Sequence, residues 1–271
     1  MTTDSEQRRP RRKLSRRAKV ILTALGVVGM SAAVIGPVYA VANGEPVVEG
    51  QYRFAVKLTM PKITSPSTGA TRSSACSAGL IDRQWIVSAG HCFHDGDRNR
   101  ISGPVRYQVI ATVGTSNVAS GRGVNVDVVE AYQAPNGADL AIGKLARPLR
   151  GFPTLKLSNT PPSVDDTVRI VGWGWTGSPG TTVGPSDQAY TGQVKVLDVN
   201  ATEVGVAGSE PSPVTGCQHD SGAPYFAERD RRAYLVSVES NGPTCPHSQR
   251  ETTARADNLT TWIQDKIAGN A

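Results

Sequence analysis

Beyond residue 40 the chain of 271 residues has no net charge. The total is +6, but eight of the 29 basic residues (Arg8, Arg9, Arg11, Arg12, Lys13, Arg16, Arg17, Lys19) and two of the 23 acidic ones (Asp4, Glu6) precede that point, leaving 21 of each. The body therefore gives no electrostatic ground for a nucleic-acid partner, and none is expected. Cysteine and histidine are scarce, four of each. Neither a C-x-x-C nor a paired Cys/His spacing occurs, so no metal site is expected, and no cofactor. The acids Asp82, Asp95 and Asp97 do not make a calcium loop: HDGDRN, residues 94–99, lacks the spaced ligands and terminal Glu of an EF-hand and reads as a solvated turn. No internal repeat is visible. Helical periodicity is missing from most of the chain, and 28 Gly and 18 Pro favour a β-rich, turn-rich globule over a helical bundle.

The leader carries the charge that the body lacks. A basic stretch ends at Lys19, and VILTALGVVGMSAAVIGPVYA follows over residues 20–40. A charged start, an apolar run, a Gly-Pro break and small residues at Val38 and Ala40 describe a secretory signal peptide cleaved after Ala40. The alternative is an uncleaved signal anchor, since the run approaches spanning length. Residues 1–40 are thus leader and residues 41–271 an exported body. Its expected location is extracellular, with membrane contact only through an uncleaved leader. The cysteines, Cys76, Cys92, Cys217 and Cys245, all follow the leader. Their even number favours two disulfides, and three pairings are possible.

Short β-branched runs separated by turn clusters fill the body. They span residues 52–60, 80–90, 105–114, 123–132, 167–175, 192–199 and 232–240. Period-two alternation is clearest in VNVDVVEAY and QVKVLDV. Turn clusters lie at 63–71, 93–99 and 176–187. Strands at this spacing suggest sandwiches or barrels. The proline-rich stretch 147–166 reads as a bridge between two halves. DNLTTWIQDKIAG, residues 257–269, places Leu259, Trp262, Ile263 and Ile267 at helical spacing, with Asp257 or Asn258 able to cap its start and Gly269 its end.

Three residues could carry acyl-transfer chemistry, which needs a hydroxyl, a base to take its proton and an acid to orient that base. His91 follows an apolar strand in SAGHC, Asp139 opens the apolar ADLAIGKL, and Ser221 sits in HDSGAP. Each alone is a weak signal. Together with VGWGW, the segments WIVSAGHC, ADLAIGKL and CQHDSGAP resemble, in order and rough spacing, the motifs of the chymotrypsin/trypsin-like serine proteases. The likeness runs from about Val41 to the terminal helix.

That resemblance implies an all-β fold of two antiparallel six-stranded Greek-key β-barrels with a C-terminal α-helix. The first barrel would span about residues 52–147, the second about 167–255 and the helix about 257–268. It implies a secreted serine endopeptidase, acting on protein or peptide through an acyl-enzyme, with a monomer as the expected state. His91 would be the general base, Asp139 its orienting acid and Ser221 the nucleophile, in the order His, Asp, Ser. The backbone N–H groups of His219 and Ser221 would form the oxyanion hole. The disulfides implied are Cys76 with Cys92 and Cys217 with Cys245. VANG, residues 41–44, stands where family members carry the N-terminus exposed on activation, so the Val41 α-ammonium would pair with Asp220. Signal cleavage after Ala40 would then itself produce the active terminus.

The chain departs from the family pattern in its serine loop, where His219 and Ala223 replace glycines. If position 219 requires φ > 0, the oxyanion hole would be strained or turned outward. The pocket base, six residues before the nucleophile, is Thr215 rather than an aspartate, which argues against a simple Arg/Lys preference. Counting along the chain puts Ser237 and Glu239 on one pocket wall and Glu251 on the other. The alternative readings are a catalytically impaired homologue that binds a partner in the cleft, or an esterase-like hydrolase with the same triad.

Overall fold

The computed structural model describes residues 40–175 and 184–269. The leader reading and most of the turn expected at 176–187 lie outside the described residues. Fourteen strands occur in chain order: β1 (Glu45–Pro46), β2 (Ala55–Thr64), β3 (Thr71–Asp82), β4 (Trp85–Ala89), β5 (Gly103–Pro104), β6 (Ile110–Val113), β7 (Val124–Gln133), β8 (Leu140–Leu145), β9 (Thr167–Gly172), β10 (Tyr190–Val199), β11 (Glu203–Ala207), β12 (Pro224–Arg229), β13 (Arg232–Asn241) and β14 (Glu251–Arg255). A 3-10 turn, Asp257–Leu259, leads into the helix α1 (Thr260–Ala268).

Two closed six-stranded antiparallel barrels result. The first runs β2-β3-β4-β8-β7-β6, closed by β6 on β2, and carries the short β5 on its edge. The second runs β9-β10-β11-β14-β13-β12, closed by β12 on β9, with β1 on its edge. Both therefore follow one order, 1-2-3-6-5-4 by position in the chain, although the sequence shows no repeat. The fold is chymotrypsin-like.

Alternation builds these walls. In β7, Val126 and Val128 face inward while Asn125 and Asp127 face solvent, and in β10 Val194 and Val196 do the same against Gln193 and Lys195. The first core stacks Leu58, Ile86, Leu140 and Ile142, all at 0% exposure, and the second Ile170, Val196, Val204 and Val206. Each such side chain contributes roughly 1.5–3 kcal/mol by leaving water. A shift of register in β2 between Met60 and Ile63 coincides with Pro61, which has no N–H for the ladder.

The apolar run at 80–90 is two strands. It bends at Arg83 and Gln84, where the Asp82 carboxylate accepts the Gln84 N–H at 3.1 Å. The proline-rich bridge staples the barrels together: Leu155 N–H donates to Leu80 O at 2.8 Å, and Lys156 N–H to Ala233 O at 2.8 Å.

The terminal helix starts later than its periodicity suggests, and neither expected cap residue caps it. The Asp257 carboxylate is instead clamped by Arg255 through two bonds of 2.7 and 2.8 Å, while the Asn258 amide reaches Ala201 O. Leu259 and Ile263 are buried on the body, and Gly269 ends the helix at φ 75°.

Candidate active site

SAGHC leaves β4 as a one-turn 3-10 helix, Gly90–Cys92. Two devices fix this turn. The Cys76–Cys92 disulfide ties it to β3, and the Gln133 amide nitrogen donates to the carbonyls of Gly90, Phe93 and Ile101 at 2.9–3.2 Å. The glycine before the histidine leaves room for these side chains: a Cβ there would stand 2.5 Å from Gln133 Oε1 and 3.0 Å from Asp139 Oδ1, so they would have to shift.

Asp139 opens β8 beside this turn. Its Oδ2 lies 2.7 Å from His91 Nδ1, and its Oδ1 accepts the His91 backbone N–H at 2.9 Å. Ser240 Oγ donates to Oδ2 at 2.7 Å, and Arg100 Nη1 approaches Oδ1 at 3.3 Å. Burial alone pushes this carboxyl upward. The hydrogen bonds from His91 and Ser240 and the charge of His91 outweigh it and hold Asp139 at about 2. The carboxylate thus stays ionised and fixes the ring through Nδ1, leaving Nε2 directed elsewhere.

Ser221 lies across the cleft on a tight turn of the second barrel. Ala223 N–H bonds Asp220 O at 2.7 Å, Gly222 N–H bonds Glu239 O at 2.7 Å, and Ser77 N–H bonds Ser221 O at 2.9 Å. His91, Ser221 and His219 line one pocket of about 250 Å³. Among the described residues no hydrogen bond joins the Ser221 hydroxyl to His91.

His219 sits at φ 75°, a left-handed conformation that costs a residue with a Cβ roughly 1–2 kcal/mol. The strain does not block its amide. The carbonyl of Gln218 accepts the Trp175 N–H at 2.6 Å, and because that peptide is planar and trans, the His219 N–H faces the other way. Neither it nor the Ser221 N–H meets a protein acceptor among the described residues. The imidazole turns aside, its Nδ1 3.1 Å from the carbonyl of Ala75. Burial lowers its pKa and so favours the neutral ring.

Asp220 points inward at 0% exposure. It accepts N–H groups from Val41 at 3.1 Å, Cys217 at 2.9 Å and Gly174 at 2.8 Å. Gly174 of the VGWGW motif leaves the room, since a Cβ there would overlap the carboxyl. Burial raises Asp220 to about 7 against these three bonds. Val41 and Ala42 are themselves buried, and Ala42 pairs with Thr215 through bonds of 2.8 and 3.2 Å.

A cavity of about 460 Å³ opens beside Ser221, between Gly216–Gln218 on one side and residues 240–245 on the other, with Glu239 in its lining. The Cys217–Cys245 disulfide joins the two walls. The expected pocket residues separate here. Thr215 and Glu251 are buried behind the lining, at 0% and 1% exposure. Ser237 does not line the cavity, contrary to the count along the chain: it faces the barrel interior, where Thr253 Oγ1 donates to it at 2.7 Å. The serine that matters is Ser240, three residues on, past a register shift between Glu239 and Asn241. Sequence reading missed it, although SVES offers both candidates.

Two barrels with a His–Asp pair on one and an inward-facing Asp-Ser turn on the other define the class of chymotrypsin-like hydrolases. The Trypsin family model matches residues 41–263, and the chain belongs to this family. The thrombin-like enzyme elegaxobin-1 of Protobothrops elegans is 26% identical over 209 residues, 72% of this chain and 87% of that protein. Trypsin-3 of Homo sapiens is 27% identical over 224 residues, 73% of this chain and 67% of that protein. The Protein C activator of Agkistrodon contortrix contortrix is 27% identical over 213 residues, covering 73% and 87%. The chain is a serine-type endopeptidase.

Proposed function

We propose that the protein is exported, is cleaved after Ala40, and cuts peptide bonds with Ser221 as nucleophile. His91 Nε2 takes the Ser221 proton as Oγ attacks the scissile carbonyl, then delivers it to the leaving amine. Asp139 holds Nδ1–H and stabilises the imidazolium. The carbonyl oxygen, now an oxyanion, meets the N–H groups of His219 and Ser221. The resulting ester on Ser221 is hydrolysed by a water that His91 activates. The observation that carries this reading is the saturated His91–Asp139–Ser240 network facing Ser221 across one pocket. The missing His91–Ser221 bond does not weigh against it, because such bonds tighten when substrate binds.

Export supplies the second component. In the continuous chain the nitrogen near Asp220 is a neutral amide, 3.1 Å from the carboxylate. Cleavage after Ala40 turns that same atom into an ammonium and gives the buried acid its counter-charge. The two disulfides accord with an extracellular site of action.

The test is hydrolysis of a mixed peptide library by the protein recovered from culture medium, with a p-nitrophenyl ester to detect the acyl-enzyme. An initial burst and peptide cleavage, both lost in Ser221→Ala, are expected. Ester turnover without peptide cleavage would favour the esterase reading, and no turnover by a protein that begins at Val41 would favour a binding role.

A further inference from the structure

Behind the 460 Å³ cavity lies a group of buried polar side chains that the catalytic steps do not use. The Tyr225 hydroxyl is 2.9 Å from Glu239 Oε2 and 2.8 Å from Glu251 Oε2. All three residues are at most 5% exposed. A phenol carries one proton, so it can donate to only one of two carboxylates. The second contact needs a proton on the other carboxyl. Two buried acids and one phenol thus hold one acidic proton and one negative charge between them.

The group is oriented toward the cavity. Glu239 lines it, and the glycines in front leave room for the acids: a Cβ on Gly216 would stand 3.1 Å from the Glu239 carboxyl, and one on Gly242 would stand 3.1 Å from Glu251 Cγ. Glu251 Oε1 has no hydrogen-bond partner, nor has Thr215 Oγ1, and both are buried. A buried carboxylate oxygen without a partner costs free energy until a donor reaches it.

We propose that Glu239 and Glu251, bridged by Tyr225, are the specificity-determining pair of this pocket, and that their shared charge selects a cationic side chain before the scissile bond. The inference rests on the protease reading for its biological meaning but not for its test. It replaces the neutral floor at Thr215 with charge supplied from two strands, β13 and β14. A cation entering the pocket favours full ionisation of the pair and expels the shared proton. Burial and the neighbouring Glu251 raise Glu239 well above the ordinary carboxyl range, so a proton is there to lose. The other titratable groups facing the pair are Asp220 from the serine loop and His247, whose Nε2 lies 3.5 Å from Glu251 Oε1. A protonated His247 would be the internal competitor for that charge.

Binding of benzamidine, a planar cation, and of its neutral isostere benzamide to the processed protein carrying Ser221→Ala tests this without catalysis. Calorimetry in two buffers of different ionisation enthalpy also counts protons. Benzamidine is expected to bind roughly 10- to 100-fold tighter, with release of up to one proton. Glu239→Gln and Glu251→Gln should each reduce that preference at least tenfold, and Tyr225→Phe should change the proton count if either glutamine variant fails to fold. Equal affinity for the two ligands, or a preference unchanged in both variants, would overturn the proposal. Cleavage of peptides with Lys or Met before the cut, measured with Ser221 intact, separates the outcomes. Rapid cleavage with no Lys preference refutes only the pocket, whereas a benzamidine preference without any cleavage refutes only the protease reading.

Discussion

The half of the site on the first barrel is saturated with partners; the half on the second is not. Around His91 and Asp139 every buried side-chain polar atom is bonded except Gln133 Oε1. Around the serine loop and its pocket, Thr215 Oγ1, both His247 nitrogens and Glu251 Oε1 make no hydrogen bond, His247 Nε2 and Glu251 Oε1 standing 3.5 Å apart, and Asp220 is buried against neutral amides. The first half is built mainly from one turn, one strand and one disulfide within 64 residues, Cys76 to Asp139, with Ser240 reaching in from the second barrel. In the proposed reading the second takes its charges from elsewhere: an ammonium at Val41 for Asp220, and a substrate cation for the Glu239–Glu251 pair. On that reading the proton-transfer half is complete on folding, while the binding half waits for processing and for substrate.

Substitutions on the two sides should break this contrast in graded steps. The largest loss is expected from His91→Ala or Ser221→Ala, on the order of 10⁴-fold or more in kcat/KM for a peptide, with the two not additive. One residue added before Val41, or Asp220→Ala, should cost about 10²–10³-fold, the worth of an oxyanion donor, with kcat falling more than KM rises. The extended form should also show a distinct pH signature. A buried acid raised to about 7 favours the fold while protonated, so thermal stability of the extended chain should decline as pH rises from about 4 through 7. The form beginning at Val41, with its ammonium, should not show that decline. Identical melting profiles for the two would remove the ion pair from the account.

Ser240→Ala, at a second-barrel residue that bonds Asp139, is a milder test of the first half of the site. It removes one of the bonds holding Asp139 at about 2, so that carboxyl should rise. The stabilisation from Asp139 is present above the unfolded value of about 4 and is lost as pH falls toward 2, and the variant should lose it at a higher pH. Activity near neutral pH should fall by roughly tenfold or less. Smallest of all is His219→Gly, which relieves the φ 75° strain: kcat/KM should stay within about threefold and Tm should rise by about 2 °C.

The comparison also explains what the sequence made readable. His91, Asp139 and Ser221 stand in short motifs whose neighbours are fixed by local geometry, such as the glycine of SAGHC packed against Gln133 and Asp139. The disulfide pairings were legible only through the family resemblance, since the cysteine count left three open, and the bridge at 147–166 through its prolines. Contacts set by register between distant strands were not. Ser240 rather than Ser237 reaches Asp139 because β13 shifts register between Glu239 and Asn241. Tyr225, Glu239 and Glu251 meet only because β12, β13 and β14 are adjacent, and β11, β12 and β14 are too short to announce themselves by alternation. Gln133, which binds three carbonyls, carries no sequence signal at all. The cap expected at Asp257 fails because Arg255 competes for the same carboxylate.

The doubt raised by HDSGAP narrows to one backbone group. His219 adopts the strained conformation, keeps its side chain on Ala75 and leaves its N–H free. Labelling with a fluorophosphonate, read by intact mass and peptide mapping, tests whether that arrangement is productive. A protein beginning at Val41 should take up one adduct, on Ser221, at a rate that falls sharply in His91→Ala and in a chain extended by one residue. No adduct on the correctly processed, disulfide-bonded protein, or an adduct on another residue, would contradict the account.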